Sequence, residues 1–435
     1  MKNTYTSIKT LLLCALTGLI TGCVIAGFNL LINHLANFSY SLLSLSHQNL
    51  TNLIIYSLFI LGLGFFTAYS LKKEPAIGGS GVPRVNGLLH NRLNQNGLTV
   101  LFYKFFGGMT AIGSGLTLGR GGPSIQIGST IGQIMSKSFR SDSSISRYLI
   151  AGAAGGGMAA TFNAPLSGLS FILEGLFYKT SRPLFVYAGI IVLFANQTAN
   201  SILGNQPSII LLRQAQLPNN LLITCLGLGL ITGLSGVLFN LVVINGKKLY
   251  QGLSIPQWLK SILPFILTAM ILYFDRNLFG SGANLISFPI GENPNPPYLT
   301  YLYSMKILLL AFAFCSGIPG GIFFPLLSIG AILGNLYGSL LYNLGLIPSE
   351  LIIYLALFAM SGHFSAIVRA PLSGIFLILE MTGVSLPWLF PITLVTYSSY
   401  LVAELLASPP ICESLLDLIL VNLSQINHSK KSVPL

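Results

Sequence analysis

Residues 117–134, TLGRGGPSIQIGSTIGQI, set an arginine inside an apolar run and follow it at once with two glycines and a proline. Glycine lets the backbone turn sharply or come close to a ligand. Proline fits the first turn of a helix, where its missing N–H would have had no partner. The stretch reads as an unwound segment feeding a helix that starts within apolar surroundings. Such a start carries unpaired N–H groups and the positive end of the helix dipole, and so attracts anions. The plainer alternative is a glycine-kinked membrane helix, which is tolerated where protein or a water-filled cavity surrounds it. Two more stretches share the pattern: GGSGVP at 78–83, which adds the Ser80 hydroxyl, and GIPGGIFFP at 317–325. If the openings at Ser80–Pro83, Arg120–Pro123 and Gly320–Pro325 converge, they make an anion site of amides and one hydroxyl, with no full positive charge against the ion. That suits conduction, because the site must strip water from the ion and still release it.

Four cations lie in or beside apolar segments: Lys104, Arg120, Lys306 and Arg369. A buried cation costs about 2.5–3.5 kcal/mol on insertion scales, so each must face protein, water or a partner. Arg120 and Lys104 are expected to supply a positive field that draws anions in. Arg369 and Lys306 are expected to be paired structurally or to snorkel.

The elements that must position these residues are membrane helices. Hydrophobic residues make up 53% of the 435 positions and charged residues only 7%. A helical crossing takes about 20 apolar residues, and the chain has room for many: 8–35, 51–71, 98–116, 183–204, 220–243 and 258–274 all read as apolar spans. Residues 275–300 read as an external loop. The net charge of +12 is scattered through loops and helix ends, so it points to membrane topology and not to nucleic acid. Lys2 and Lys9 at one end, and Lys430 and Lys431 at the other, place both termini in the cytoplasm. Ile20-Thr21-Gly22-Cys23 has the look of a lipoprotein signal, but the apolar run continues well past Cys23 and reads as the first helix. The five cysteines, 14, 23, 225, 315 and 412, are expected to be free thiols. No metal cluster and no phosphate loop is visible in the sequence, and an enzyme is not expected.

The second half repeats the first. GIPGGIFFPLLSIGAILG at 317–334 echoes GRGGPSIQIGSTIG, and VRAPLSGIFLILEM at 368–381 nearly matches FNAPLSGLSFILEG at 162–175. Two motifs in the same order, at nearly the same offset, indicate internal duplication. The expected division is 1–215 and 216–423 for the two repeats, then a short cytoplasmic tail at 424–435 with no regulatory domain. Duplicated transporters commonly hold substrate at the membrane midplane between broken helices.

GSGVP, GRGGP and GGIFFP together resemble the three signature stretches of the CLC family of chloride channels and chloride/proton antiporters, and APLSG in both halves and LEMT at 379–382 extend the likeness over most of the chain. The resemblance implies an all-α membrane protein of two inverted repeats, built from broken and tilted helices. It also implies a homodimer in a bacterial inner membrane, with one chloride pathway per subunit and no cofactor. Carried over by position, it implies that Ser80 gives its hydroxyl at the inner end of the pathway and that Ile322 and Phe323 give amides to a central chloride. Arg120, Gly121 and Gly122 would line an outer site. A serine at the position of Ser80 goes with preference for chloride over nitrate.

The departures bear on mechanism. In the family a glutamate, both gate and proton acceptor, stands where this chain has Gly121, and a proton-relay glutamate stands at Gly175. A pore tyrosine is replaced by Cys412. A carboxylate can occupy an anion site and leave it on protonation; glycine can do neither. The expectation is therefore passive, proton-uncoupled chloride conduction. The first alternative is a chloride/proton antiporter with a displaced acceptor, Glu174 or His363; the second is a member that does not conduct. Ile125 and Phe324 are the side chains expected to close the outer path, if any does.

Overall fold

The computed structural model describes residues 8–177, 181–205, 221–286 and 295–431. The expected repeat boundary at 215/216, the first seven residues, part of the expected external loop and the last four residues fall outside these segments. Among the described residues the chain is helical, with seventeen α-helices and two isolated β-bridges. The first half holds α1 (Ile8–Leu45), α2 (Leu50–Lys73), α3 (Val82–Leu89), α4 (Gly97–Gly113), α5 (Gly121–Ser138), α6 (Ser143–Phe162), α7 (Pro165–Phe171) and α8 (Arg182–Leu203). The second holds α9 (Leu221–Gly252), α10 (Gln257–Phe274), α11 (Ala283–Ile286), α12 (Pro296–Cys315), α13 (Phe323–Asn343), α14 (Leu351–Val368), α15 (Pro371–Thr382), α16 (Leu389–Leu405) and α17 (Ile411–Lys431). Among the described residues, eight helices are long and apolar enough to cross a membrane.

Helix lengths separate two kinds of element. The 38 residues of α1 reach about 57 Å at 1.5 Å per residue, well beyond a hydrocarbon core of roughly 30 Å, so this helix tilts or projects. The eight residues of α3 reach only about 12 Å. The expected unwound segments are therefore present: α3, α5 and α13 each start after non-helical chain, within the protein.

Small residues let the helices approach. A methyl at Gly128 or Gly132 on α5 would strike the carbonyls of Ala153 and Leu149 on α6. At Gly330 on α13 it would lie 2.9 Å from the Ala359 carbonyl of α14. Gly18 and Gly22 on α1 bring that helix against Ile191 and Ala195 of α8 in the same way. Such contacts stand in for a hydrophobic drive that lipid does not provide.

Reciprocal contacts tie the halves together. Gly119 and Gly321, at matching positions of the repeats, exchange both backbone hydrogen bonds at 2.7 Å in an antiparallel bridge. The Glu174 carboxylate accepts from the amides of Leu372 and Ser373 at the start of α15, while Glu380 accepts from Leu166 and Ser167 at the start of α7. Contacts in which each half gives the other what it receives are the mark of two-fold symmetry. Lys104 and Lys306 match as well: each is fully buried and donates to two carbonyls of the loop that leads into the short helix preceding its own.

That last pair corrects the expectation of an external loop at 275–300. Residues 275–286 fold back into the protein, where Leu278, Leu285 and Ile286 are buried. The Lys306 ammonium holds the carbonyls of Leu278 and Gly280 at 2.7 and 2.8 Å, which draws the segment inward. Residues 424–431, expected as the start of a tail, continue α17.

Candidate functional site

The three glycine–proline openings meet. The Gly79 amide donates towards the carbonyls of Gly317 and Ile318, and Gly320 donates back to Gly79 at 3.2 Å. The Gly119–Gly321 bridge joins the second opening to the third. All three come together at Gly122, where a Cβ would run into Ser80, with its carbonyl 2.6 Å away, and into the Cα of Gly321 at 3.1 Å. Only glycine leaves this space open. Gly81, just before α3, adopts φ 93°, a left-handed conformation that turns the chain into the helix at no steric cost.

None of these helix starts has a side-chain cap: Gly81, Arg120 and Ile322 occupy the cap positions without one. Gly121, Gly122, Ile322 and Phe323 are buried. A buried helix end with free amides calls for a ligand. The Ser80 hydroxyl, 4% exposed, has no hydrogen-bond partner among the described residues. Ser80 also lines a cavity of ≈ 640 Å³. Lys72, Arg84, Lys247 and Lys260 share that lining, and no acidic side chain among the described residues does.

The sequence-predicted cations separate as follows. Lys104 donates at 2.7 Å to Ile77 and to Gly79, the residue before Ser80, so its charge lies directly behind the first opening. Arg120, at the second opening, reaches Asn29 of α1 at 3.5 Å. Arg369 pairs with Glu404 at 3.0 Å and donates to the carbonyls of Tyr400 and Ser408, the structural role expected of it. Lys306 likewise serves the 278–280 loop.

Aromatic rings crowd both Gly121 and Gly175, the positions at which the resemblance implies missing glutamates. A Cβ on Gly121 would lie 2.8 Å from Cε2 and Cζ of Phe162. A Cβ on Gly175 would lie 2.8 Å from Cε2 of Phe171. Phe162 stacks on Phe324 at 6.1 Å, and Phe171 meets Phe323 edge-on at 5.5 Å. The side chain beside Gly121 is thus Phe162, which the sequence reading did not single out, with Phe324 behind it; Ile125 is not among the nearest atoms there. Nothing in the spacing of the sequence joins residue 162 to residue 121.

The remaining candidates have partners of their own or stand on other elements. Glu174 is engaged as a cap, accepting from Leu372, Ser373 and the Ser373 hydroxyl. His363 is buried on α14, its Nδ1 2.8 Å from the Leu326 carbonyl and its ring edge-on to Phe239. Cys412 is buried in the first turn of α17, and that helix lines the cavity from Leu415 onward.

Symmetry-related halves and three uncapped helix starts around an orphaned hydroxyl define a membrane protein of the duplicated, broken-helix kind, suited to an anion. The chain belongs to the CLC family: the family model described as "Voltage gated chloride channel" matches residues 63–404. It is 31% identical to the H(+)/Cl(-) exchange transporter ClcA of Vibrio campbellii, over 97% of this chain and 92% of that protein. It is 33% identical to the ClcA exchange transporter of Vibrio cholerae, over 85% of this chain and 80% of that one. In structure it is similar to a slow cyanobacterial Cl-/H+ antiporter, with a TM-score of 0.90 at 27% identity, covering 96% of this chain and 99% of that chain. The expected all-helical duplicated membrane fold and the family resemblance both hold.

Proposed function

We propose that this protein moves chloride across a bilayer through the meeting point of α3, α5 and α13. The Ser80 hydroxyl and the first amides of Ile322 and Phe323 hold the ion, and Gly121 and Gly122 flank it on the far side. The observation that carries this reading is the Ser80 hydroxyl, buried and unpartnered where three uncapped helix starts converge. Neutral donors bind a desolvated anion through charge-assisted hydrogen bonds. Lys104 and Arg120 add a positive field without touching the ion. Cys412 stands at the inner end as a thiol in place of a phenol.

The activity named for the relatives favours exchange for protons over the passive conduction expected from the sequence, and exchange is the reading placed first. It needs a proton acceptor other than Gly121 and Gly175. His363 and Glu174 are the two candidates: the His363 imidazole is buried with its Nδ1 2.8 Å from the Leu326 carbonyl, and the Glu174 carboxylate accepts three hydrogen bonds. Passive conduction is the second reading, and Gly121 and Gly175 favour it. Liposomes with a chloride gradient and a proton-sensitive dye separate the two. Exchange drives protons against their own gradient, whereas chloride flux without proton movement selects passive conduction.

The assembly that goes with this function is a homodimer in a bacterial inner membrane, with both termini cytoplasmic. Supporting the dimer, Leu166 and Leu372, at matching positions of α7 and α15, are exposed, as are Leu389 and Phe390 at the start of α16. Cross-linking through cysteines placed at Leu166 and Leu372 tests it, and a purely monomeric product would contradict it.

A further inference from the structure

We propose that Phe162, backed by Phe324, is the gate on the Gly121 side of the pathway, a neutral aromatic plug in the place of a gating carboxylate. The inference rests on the chloride reading above but not on the mode of coupling. The ring turns its Cε2–Cζ edge towards Gly121, close enough that even one added carbon at that position would collide with it at 2.8 Å. Phe162 is 1% exposed, so the ring fills its space and does not hang in an open vestibule. Its stack with Phe324, the residue after Phe323, ties the plug to the third helix start.

The backbone behind the ring is firmly set. Asn163, just after Phe162, ends α6 in the left-handed region at φ 53°. Its side-chain oxygen accepts hydrogen bonds from Asn196 and Asn200 of α8 at 3.2 and 2.6 Å. Side-chain rotation, and not backbone movement, is therefore the motion that opens the path. A closed apolar constriction stops an ion by excluding its water. The ring edge carries the positive part of the aromatic quadrupole, so a rotated ring does not repel a passing anion.

The test is chloride efflux from liposomes for a size series at one position: Phe162→Ala, Phe162→Leu, wild type and Phe162→Trp. The gate predicts that flux falls in that order, with alanine about tenfold above wild type, ~1.4 kcal/mol off the barrier. Phe324→Leu removes the stack from the other side and should also raise flux, which covers the case in which the alanine variant does not fold. In Gly121→Glu the new side chain and the ring contend for one space; Gly121→Glu with Phe162→Ala relieves the conflict and should yield more correctly assembled protein than Gly121→Glu alone. Wild-type flux that stays constant across the 162 series and in Phe324→Leu overturns the gate and leaves the chloride reading standing. A series in which no member moves chloride overturns both.

Discussion

Lys104→Met offers a test with a built-in control. The ammonium donates to the carbonyls of Ile77 and Gly79 at 2.7 Å each, and so holds the chain immediately before Ser80. Hydrogen bonds to a charged group contribute about 1.5–3 kcal/mol each, so removing two exposes the fold to a loss of roughly 3–6 kcal/mol. Methionine fills similar volume and removes the cost of burying a charge, which offsets part of this; a net loss of about 2–4 kcal/mol is expected. Lys306→Met removes the same two bonds from the matching loop at Leu278 and Gly280, which does not carry Ser80. Thermal unfolding in detergent should therefore show similar losses for both. Chloride binding should separate them: Lys104→Met weakens it by about tenfold or more, equivalent to at least ~1.4 kcal/mol, whereas Lys306→Met leaves it within about twofold. Equal weakening in both variants would refute the assignment of Lys104 to the ion site and leave it a structural strut.

The reciprocal caps predict matched behaviour elsewhere. Glu174→Gln and Glu380→Gln should each lower unfolding stability by about 2 kcal/mol, the value of a charge at a partly buried helix start, and thermal denaturation of the two single variants checks it; loss in only one would contradict the symmetric brace. Gly157→Ala places a methyl against the Ser124 carbonyl, 2.9 Å from its carbon, where α6 crosses the first turn of α5. Overpacking of about 1–3 kcal/mol should follow, read as a lower melting temperature with displaced α5 and weakened chloride binding.

Much of this was legible in the sequence because it was written locally. The glycine–proline openings announced where helices start, and the repeated APLSG announced the duplication. The convergence of the openings was only a condition in the sequence, and the Gly119–Gly321 bridge meets it for the second and third openings. What the sequence did not offer was anything that depends on partners far along the chain. Glu174 looked like a spare acid in an apolar run, and only the fold shows it satisfied by amides almost two hundred residues away. Phe162 looked like the first letter of a repeated stretch, and only the fold sets its ring beside Gly121. The polar segment after Asp275 looked external because its inward pull comes from one lysine on α12.

The central claim, that chloride passes through a site made by the Ser80 hydroxyl and neighbouring amides, is tested most directly by chloride efflux from potassium chloride-loaded liposomes, comparing wild type with Ser80→Ala. The account predicts valinomycin-dependent chloride efflux through the wild type, with potassium retained when the ionophore is absent. It predicts an efflux slower by about tenfold, or a chloride affinity weaker by the same factor, when the hydroxyl is removed, in line with a charge-assisted hydrogen bond of roughly 1.5 kcal/mol. Potassium leaking as fast as chloride, or a Ser80→Ala variant identical to wild type in both rate and affinity, would contradict it.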